Sequence, residues 1–173
     1  MGHFPEDRWY SYSTLDEVKH IGLTALDTSA EEIPVFIRGG HIIPRKDRLR
    51  RSTQMMKRDP YTIVVALDKD LKAAGDLYID DGISFDYTDD HYILGTFTFE
   101  SSILSYKVRH PGSVDCELEI ERITLIGIGQ VNSITVFMGE AKWEVGFYRY
   151  NNGAIVMKLP QVTVDKEWKI KLN

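Results

Sequence analysis

The sequence predicts an all-β protein with little helix, arranged as two antiparallel β-sandwich modules, and three observations carry that prediction. Short runs rich in β-branched and aromatic residues recur at regular spacing from residue 61 to the end. The runs are bounded by Gly, Pro, Asn or Asp, which favour turns. Several alternate apolar and charged residues, as Leu118, Ile120, Ile123 and Leu125 do against Glu117, Glu119 and Glu121, the pattern of a sheet with one wet face.

Taken in order, LDEVKHIGL at 15–23 has the spacing of a helical turn. RKDRLRRSTQMMKRDP at 45–60 is poor in strand formers and carries seven Lys or Arg against two Asp. A charged stretch of this kind marks a boundary between apolar patterns. It divides the chain into residues 1–58, an incomplete proximal module with 45–58 as its basic connector, and 59–173, a distal sandwich. Strands are then expected at 61–67, 76–79, 92–99, 103–109, 117–128, 133–138, 143–150, 154–159 and 168–172. A chain of 173 residues with 43% hydrophobic content can bury a sizeable core, roughly 70% of its unfolded surface.

The stretch GDLYIDDGISFDY at 75–87 places two adjacent carboxylates before a glycine. A three-residue hairpin loop, Asp80-Asp81-Gly82, would set Ile79 opposite Ile83 and Leu77 opposite Phe85, with all four apolar side chains on one face. A two-residue loop would mix core and solvent faces, so the three-residue register is expected. Asp80, Asp81 and Gly82 are then a turn motif, the acids bonding to nearby backbone N–H groups. Adjacent residues on a hairpin tip do not converge on one glycosidic bond, and the spacing is not that of a calcium loop.

Other chemistry finds no home in the spacing. The histidines are scattered without metal-helix spacing, and no nucleophile elbow or phosphate loop occurs, so no catalytic residue, metal or cofactor is expected. A net charge of −5 gives no general pull toward nucleic acid, and the basic connector lacks interleaved aromatics. No apolar run is long enough to cross a membrane as a helix, and MGHFPEDRWY lacks the order of a targeting signal. Cys116, between two acids, reads as structural rather than reactive. Gly39-Gly40, inside an apolar run, reads as a bulge or close backbone approach, with Arg38 at a surface or interface. Trp9-Tyr10-Ser11-Tyr12, and Trp143 with Phe147 and Tyr148, are either packing residues or platforms for a sugar ring.

IPVFIRGGHIIPR (33–45), RRSTQMMKRDPYTIVVAL (50–67) and AGDLYIDDGISFDY (74–87), in that order, resemble the C-terminal part of a glycoside hydrolase family 31 α-glucosidase. IERITLIGIG (120–129) and VTVDKEWKIKL (162–172) extend the likeness over nearly the whole chain. The resemblance implies that a (β/α)₈ barrel elsewhere in the polypeptide carries the nucleophile and acid, and that this chain is the pair of β modules that follow it. No W-x-D-x-N-E-like segment occurs here, so neither catalytic aspartate carries over. Trp9, Tyr10, Arg38, Gly39 and Gly40 are the residues the resemblance suggests for the barrel interface. The chain departs from the family at Ser11, where many members have Asp, and at Leu159-Pro160-Gln161.

For the parent, the resemblance implies a retaining exo-α-glucosidase acting on N-linked glycans in the endoplasmic reticulum lumen. Its partners would be the barrel of its own chain, a separate β subunit and the oligosaccharide substrate. Two other readings stay open on sequence: a stand-alone carbohydrate-binding sandwich, and an interaction module using the basic connector.

Overall fold

Fifteen short strands account for most of the regular structure in the computed structural model, which describes residues 1–26, 31–115 and 118–173. Those before the basic connector are β1 (Gly2–Phe4), β2 (Trp9–Ser11), β3 (Gly22–Thr24), β4 (Phe36–Arg38) and β5 (His41–Arg45). Beyond it come β6 (Tyr61–Ala66), β7 (Ala73–Ile79), β8 (Ile93–Glu100), β9 (Ile103–Pro111) and β10 (Ile120–Ile126). The last five are β11 (Ile134–Met138), β12 (Ala141–Glu144), β13 (Phe147–Arg149), β14 (Ile155–Lys158) and β15 (Trp168–Leu172). Among the described residues, helix is confined to two short 3-10 segments at Thr53–Arg58 and Asp86–Asp89. Cys116, read from sequence as structural, lies outside the described residues.

One continuous sheet runs β12-β11-β15-β9-β8-β7-β5-β6-β10-β14-β13, while β1-β3 and β2-β4 form separate two-stranded ladders. The long sheet is joined at its middle by a single registered pair, His41 with Ala74. Its two halves face each other, because Phe97, Leu104 and Ile170 of one half share a core with Ile63, Val65, Ile123 and Ile155 of the other. The result is a β-sandwich.

Strand β6 is the spine. All six of its residues are buried, a pattern that requires cover on both faces. Ile63 and Val65 point into the sandwich, while Val64 and Ala66 face outward into a smaller cluster with Tyr10, Ile37, Ile126 and Ala154. The N-terminal ladder β2-β4 thus roofs part of the outer face. Strand β5, from the N-terminal side of the connector, pairs with β6 from His41↔Ala66 to Arg45↔Thr62, so the sheet continues across the connector.

Two pairings depart from the antiparallel pattern: β6 runs parallel to β10, and β5 to β7. A parallel neighbour needs a long crossover, and the chain supplies it between residues 66 and 120 as β7, β8 and β9. Aromatic packing sets the sandwich interior, where Tyr106 lies 4.5 Å from Phe97 and 5.6 Å from Trp168 between ring centroids. The Tyr106 ring occupies the space over Gly95, where an added Cβ would fall 1.9 Å from its hydroxyl. That hydroxyl donates to the Val164 carbonyl at 2.7 Å.

Three local expectations are corrected. The helical turn at 15–23 is replaced by a tight return: Ser11 N–H donates to Asp16 O, and Val18 N–H to Trp9 O at 2.7 Å. Residues 143–150 are two strands, not one, since the Val145 N–H turns to Ile134 O between them. The hairpin pairing Ile79 with Ile83 does not form; Ile79 pairs with Ile93, and Leu77 with Gly95. Asp81 explains the difference, because its carboxylate accepts the Ile83 and Ser84 N–H groups at 3.0 Å and curls the chain away from an extended return. Ile83 and Phe85 are left 79% and 77% exposed.

Candidate functional site

Chain geometry makes the N-terminal face, where β2-β4 meets the outer side of the sandwich, the place to look for a site. Trp9 and Arg38 are registered partners on the two strands, and the turn after Arg38 brings Gly39 and Gly40 against the sheet. Gly39 N–H donates to Arg8 O, and Gly40 N–H donates to Ala66 O, both at 2.8 Å. A Cβ on Gly39 would lie 2.8 Å from Leu67 O, and Gly40 has φ +86, so this sequence needs glycine at both positions. Both serve a close backbone approach within this chain.

Tyr10 is likewise internal. It is 1% exposed and donates its hydroxyl to Leu67 O at 2.6 Å, and burial pushes its phenol pKa far up. The side chains open to another surface are Trp9, half-buried against Phe4 at 5.7 Å, and Arg38, whose Nε donates to Asp7 at 2.8 Å. Elsewhere in the N-terminal region Ile21, Leu23, Ile33 and Val35 are exposed at 49% or more.

Arg8 is the residue that sequence reasoning missed. It donates to both Glu17 oxygens at 2.8 and 2.7 Å and reaches the Gly127 carbonyl at 3.0 Å, clasping the N-terminal segment to the end of β10. The Arg8 guanidinium holds Glu17 below the usual carboxylate range, and Arg38 does the same for Asp7. An arginine among Pro, Glu and Asp in a loop gives no periodic signal that would single it out.

In the acidic turn both carboxylates bond to backbone N–H groups. Asp80 accepts the Gly82 N–H at 2.9 Å, and Gly82 has φ +69. The Ile83 and Ser84 N–H groups hold Asp81 below the ordinary carboxylate range, so it stays an anion rather than a proton donor. Asp80, Asp81, Gly82 and Ile83 form one wall of an open groove of about 500 Å³, with Lys46, Met56 and Tyr61 opposite. Among the described residues, no group of three or more His, Cys, Asp or Glu is placed to hold a metal.

The basic connector is largely neutralised from within. Arg50 makes a forked contact with the buried Asp59 at 3.0 and 2.5 Å, Arg48 reaches Glu121 at 2.8 Å, and Arg45 reaches Asp47 at 2.8 Å. Lys46 Nζ donates to the Met56 and Lys57 carbonyls, both at 3.0 Å, closing the 3-10 segment. Nor is Trp143 an open platform: it packs against the core and donates Nε1–H to Pro160 O at 3.3 Å.

Comparison with known proteins gives a coherent picture. Residues 1–43 match the glycosyl hydrolase family 31 C-terminal domain. The chain is 37% identical over 176 residues to neutral alpha-glucosidase AB of Dictyostelium discoideum, covering 99% of this chain and 18% of that protein. A probable glucan 1,3-alpha-glucosidase of Arabidopsis thaliana is 37% identical over 159 residues. Among solved structures, the catalytic subunit in an endoplasmic-reticulum glucosidase II heterodimer superposes with a TM-score of 0.85 at 34% identity, over 98% of this chain and 20% of that one. The chain therefore spans about a fifth of the length of the relatives it matches. By sequence and by fold, the chain is similar to the C-terminal β region of glycosyl hydrolase family 31 enzymes, and resembles that of glucosidase II α subunits.

Proposed function

We propose that this chain is the non-catalytic C-terminal β region of a retaining exo-α-glucosidase that trims glucose from N-linked glycans. It covers and supports a (β/α)₈ barrel of the same polypeptide. The observation that carries this reading is the superposition on a glucosidase II catalytic subunit over 98% of the chain, together with the small share of that subunit it represents. In this reading residues 1–58 are the proximal module and 59–173 the distal one, and the enzyme works in the endoplasmic reticulum lumen beside a β subunit.

Trp9 and Arg38 are the contacts offered to the barrel, and the exposed Ile21, Leu23, Ile33 and Val35 add apolar surface to the same N-terminal region. Gly39, Gly40 and Tyr10 act one step back, holding that surface against the sandwich. Two measurements test the proposal. The purified chain should not hydrolyse an aryl α-glucoside, and turnover that copurifies with it through contaminant controls would overturn its non-catalytic role. Glucose or short α-glucans at millimolar concentration should leave Trp9 and Trp143 fluorescence unchanged. Saturable quenching would instead make the chain a sugar-binding module.

A further inference from the structure

On the outer face of the sandwich, beyond the roof formed by β2-β4, four polar residues lie in one cross-strand row. Arg45 on β5 is registered with Thr62 on β6, Thr62 with Arg122 on β10, and Arg122 with Lys158 on β14. The row exists because β10 is irregular between Ile120 and Arg122. Ile120 and Ile123 both stay in the core, leaving Glu121 and Arg122 between them to point away from it.

Like charges on neighbouring strands repel, and a sheet normally avoids them. Here the charged groups around the row are Arg45, Arg48, Arg122 and Lys158, opposed by Asp47 on Arg45 and Glu121 on Arg48. Among the described residues, no carboxylate forms an ion pair with Arg122 or Lys158. The hydrogen-bonding pattern is also incomplete. Arg45 Nε, Thr62 Oγ1 and Arg122 Nε, on three adjacent strands, are withdrawn from solvent and have no partner, and Thr62 is fully buried. Buried polar groups in a folded protein are nearly always paired, so these three atoms are donors or acceptors that a ligand's oxygens or a water can serve.

Aromatic residues flank the row at both ends. Tyr12 lies under the Arg45 guanidinium at 4.8 Å, and Tyr148 lies 5.3 Å from the Lys158 ammonium. Tyr148 packs edge-on against Tyr150 at 5.3 Å. The Tyr150 phenol pKa, raised chiefly by its hydrogen bond with Tyr148, is drawn the other way by Arg122 and Lys158, which places it within reach of both charges.

We propose that the row Arg45, Thr62, Arg122 and Lys158 is a binding site for a compact oxyanion, a phosphate or carboxylate group. The ion would bridge the two unpaired cations and give the unpartnered donors an acceptor, in charge-assisted hydrogen bonds. A bound water could satisfy the hydrogen bonds but would leave the charge excess untouched.

Calorimetric titration of the full chain with phosphate at low ionic strength and neutral pH tests the site. Saturable binding is expected, weakened about tenfold or more by Arg122→Gln or Lys158→Gln, as loss of one charged hydrogen bond implies. Arg58→Gln, a change outside the row, should leave it intact. Acetate binding at the same site would identify a side-chain carboxylate as the natural occupant, whereas phosphate binding alone would identify a tetrahedral anion. Thr62→Val removes the unpartnered hydroxyl, so it should not lower Tm in chloride but should reduce the rise that phosphate brings. Absence of saturable heat with either anion, or binding undiminished in Arg122→Gln, would overturn the proposal.

Discussion

The sandwich and the N-terminal ladders draw on similar strand residues but bury them to different extents. Between Tyr61 and Leu172, every strand except the edge strands β12 and β13 pairs on both sides, and the inward residues share one core. Before residue 40, strands of three residues form isolated pairs, with Leu23 of β3 exposed at 69% and Ile33 beside them at 87%. Among the described residues of that region, Phe4, Tyr10 and Ile37 are the buried apolar side chains. The contrast teaches that burial in the first region depends on something outside it, while the second supplies its own. Exposed apolar surface of this kind marks an interaction face.

The comparison can be broken or sharpened by experiments of decreasing effect. Phe97→Ala, at the centre of the Phe97–Tyr106–Trp168 cluster, should cost about 3–5 kcal/mol in denaturant unfolding and weaken the whole sandwich. Gly39→Ala puts a methyl group against the Leu67 carbonyl and should cost about 1–3 kcal/mol through overpacking. Arg8→Ala should cost about 1–2 kcal/mol. Hydrogen exchange should then show faster opening of β1 to β4, with β8, β9 and β15 still protected.

Acid should act in the same direction. The Asp7 and Glu17 pKa values are lowered by their arginine partners, so their stabilisation is complete above the ordinary carboxylate range and is lost as pH falls through the lowered values. Fluorescence of Trp9 should therefore change at a higher pH than that of the buried Trp168. Smallest of all, Leu23→Asp should alter the stability of this chain by no more than about 0.5 kcal/mol, as expected for an exposed site. In a full-length enzyme carrying the chain, the same change should lower yield or Tm if the barrel covers it.

The distal half was the more legible from sequence, for the same reason that it is better buried. Alternation and turn residues located β6, β8, β9, β11, β14 and β15 to within a residue or two at their ends. Strands β1 to β4 escaped because three-residue ladders are too short for alternation to register. The Asp80-Asp81-Gly82 turn could be read from its residues, but the pairing around it could not. That pairing depends on which N–H groups Asp81 captures and on β8, which begins at Ile93. Arg8 and the cross-strand row were invisible because they join residues far apart in the chain, by register rather than by spacing.

A consequence for folding lies in the position of β6. Its antiparallel neighbour β5 is close in sequence, but its parallel neighbour β10 begins at Ile120, more than fifty residues downstream. Contacts of such separation slow folding, because the loop must close before the pairing contributes. During synthesis, β5 and β6 emerge with one edge open and with Val64 and Ala66 uncovered by Ile126 and Ala154. The Arg8 clasp on Gly127 waits for the same event. Until β10 leaves the ribosome, that open edge is the segment most in need of a chaperone.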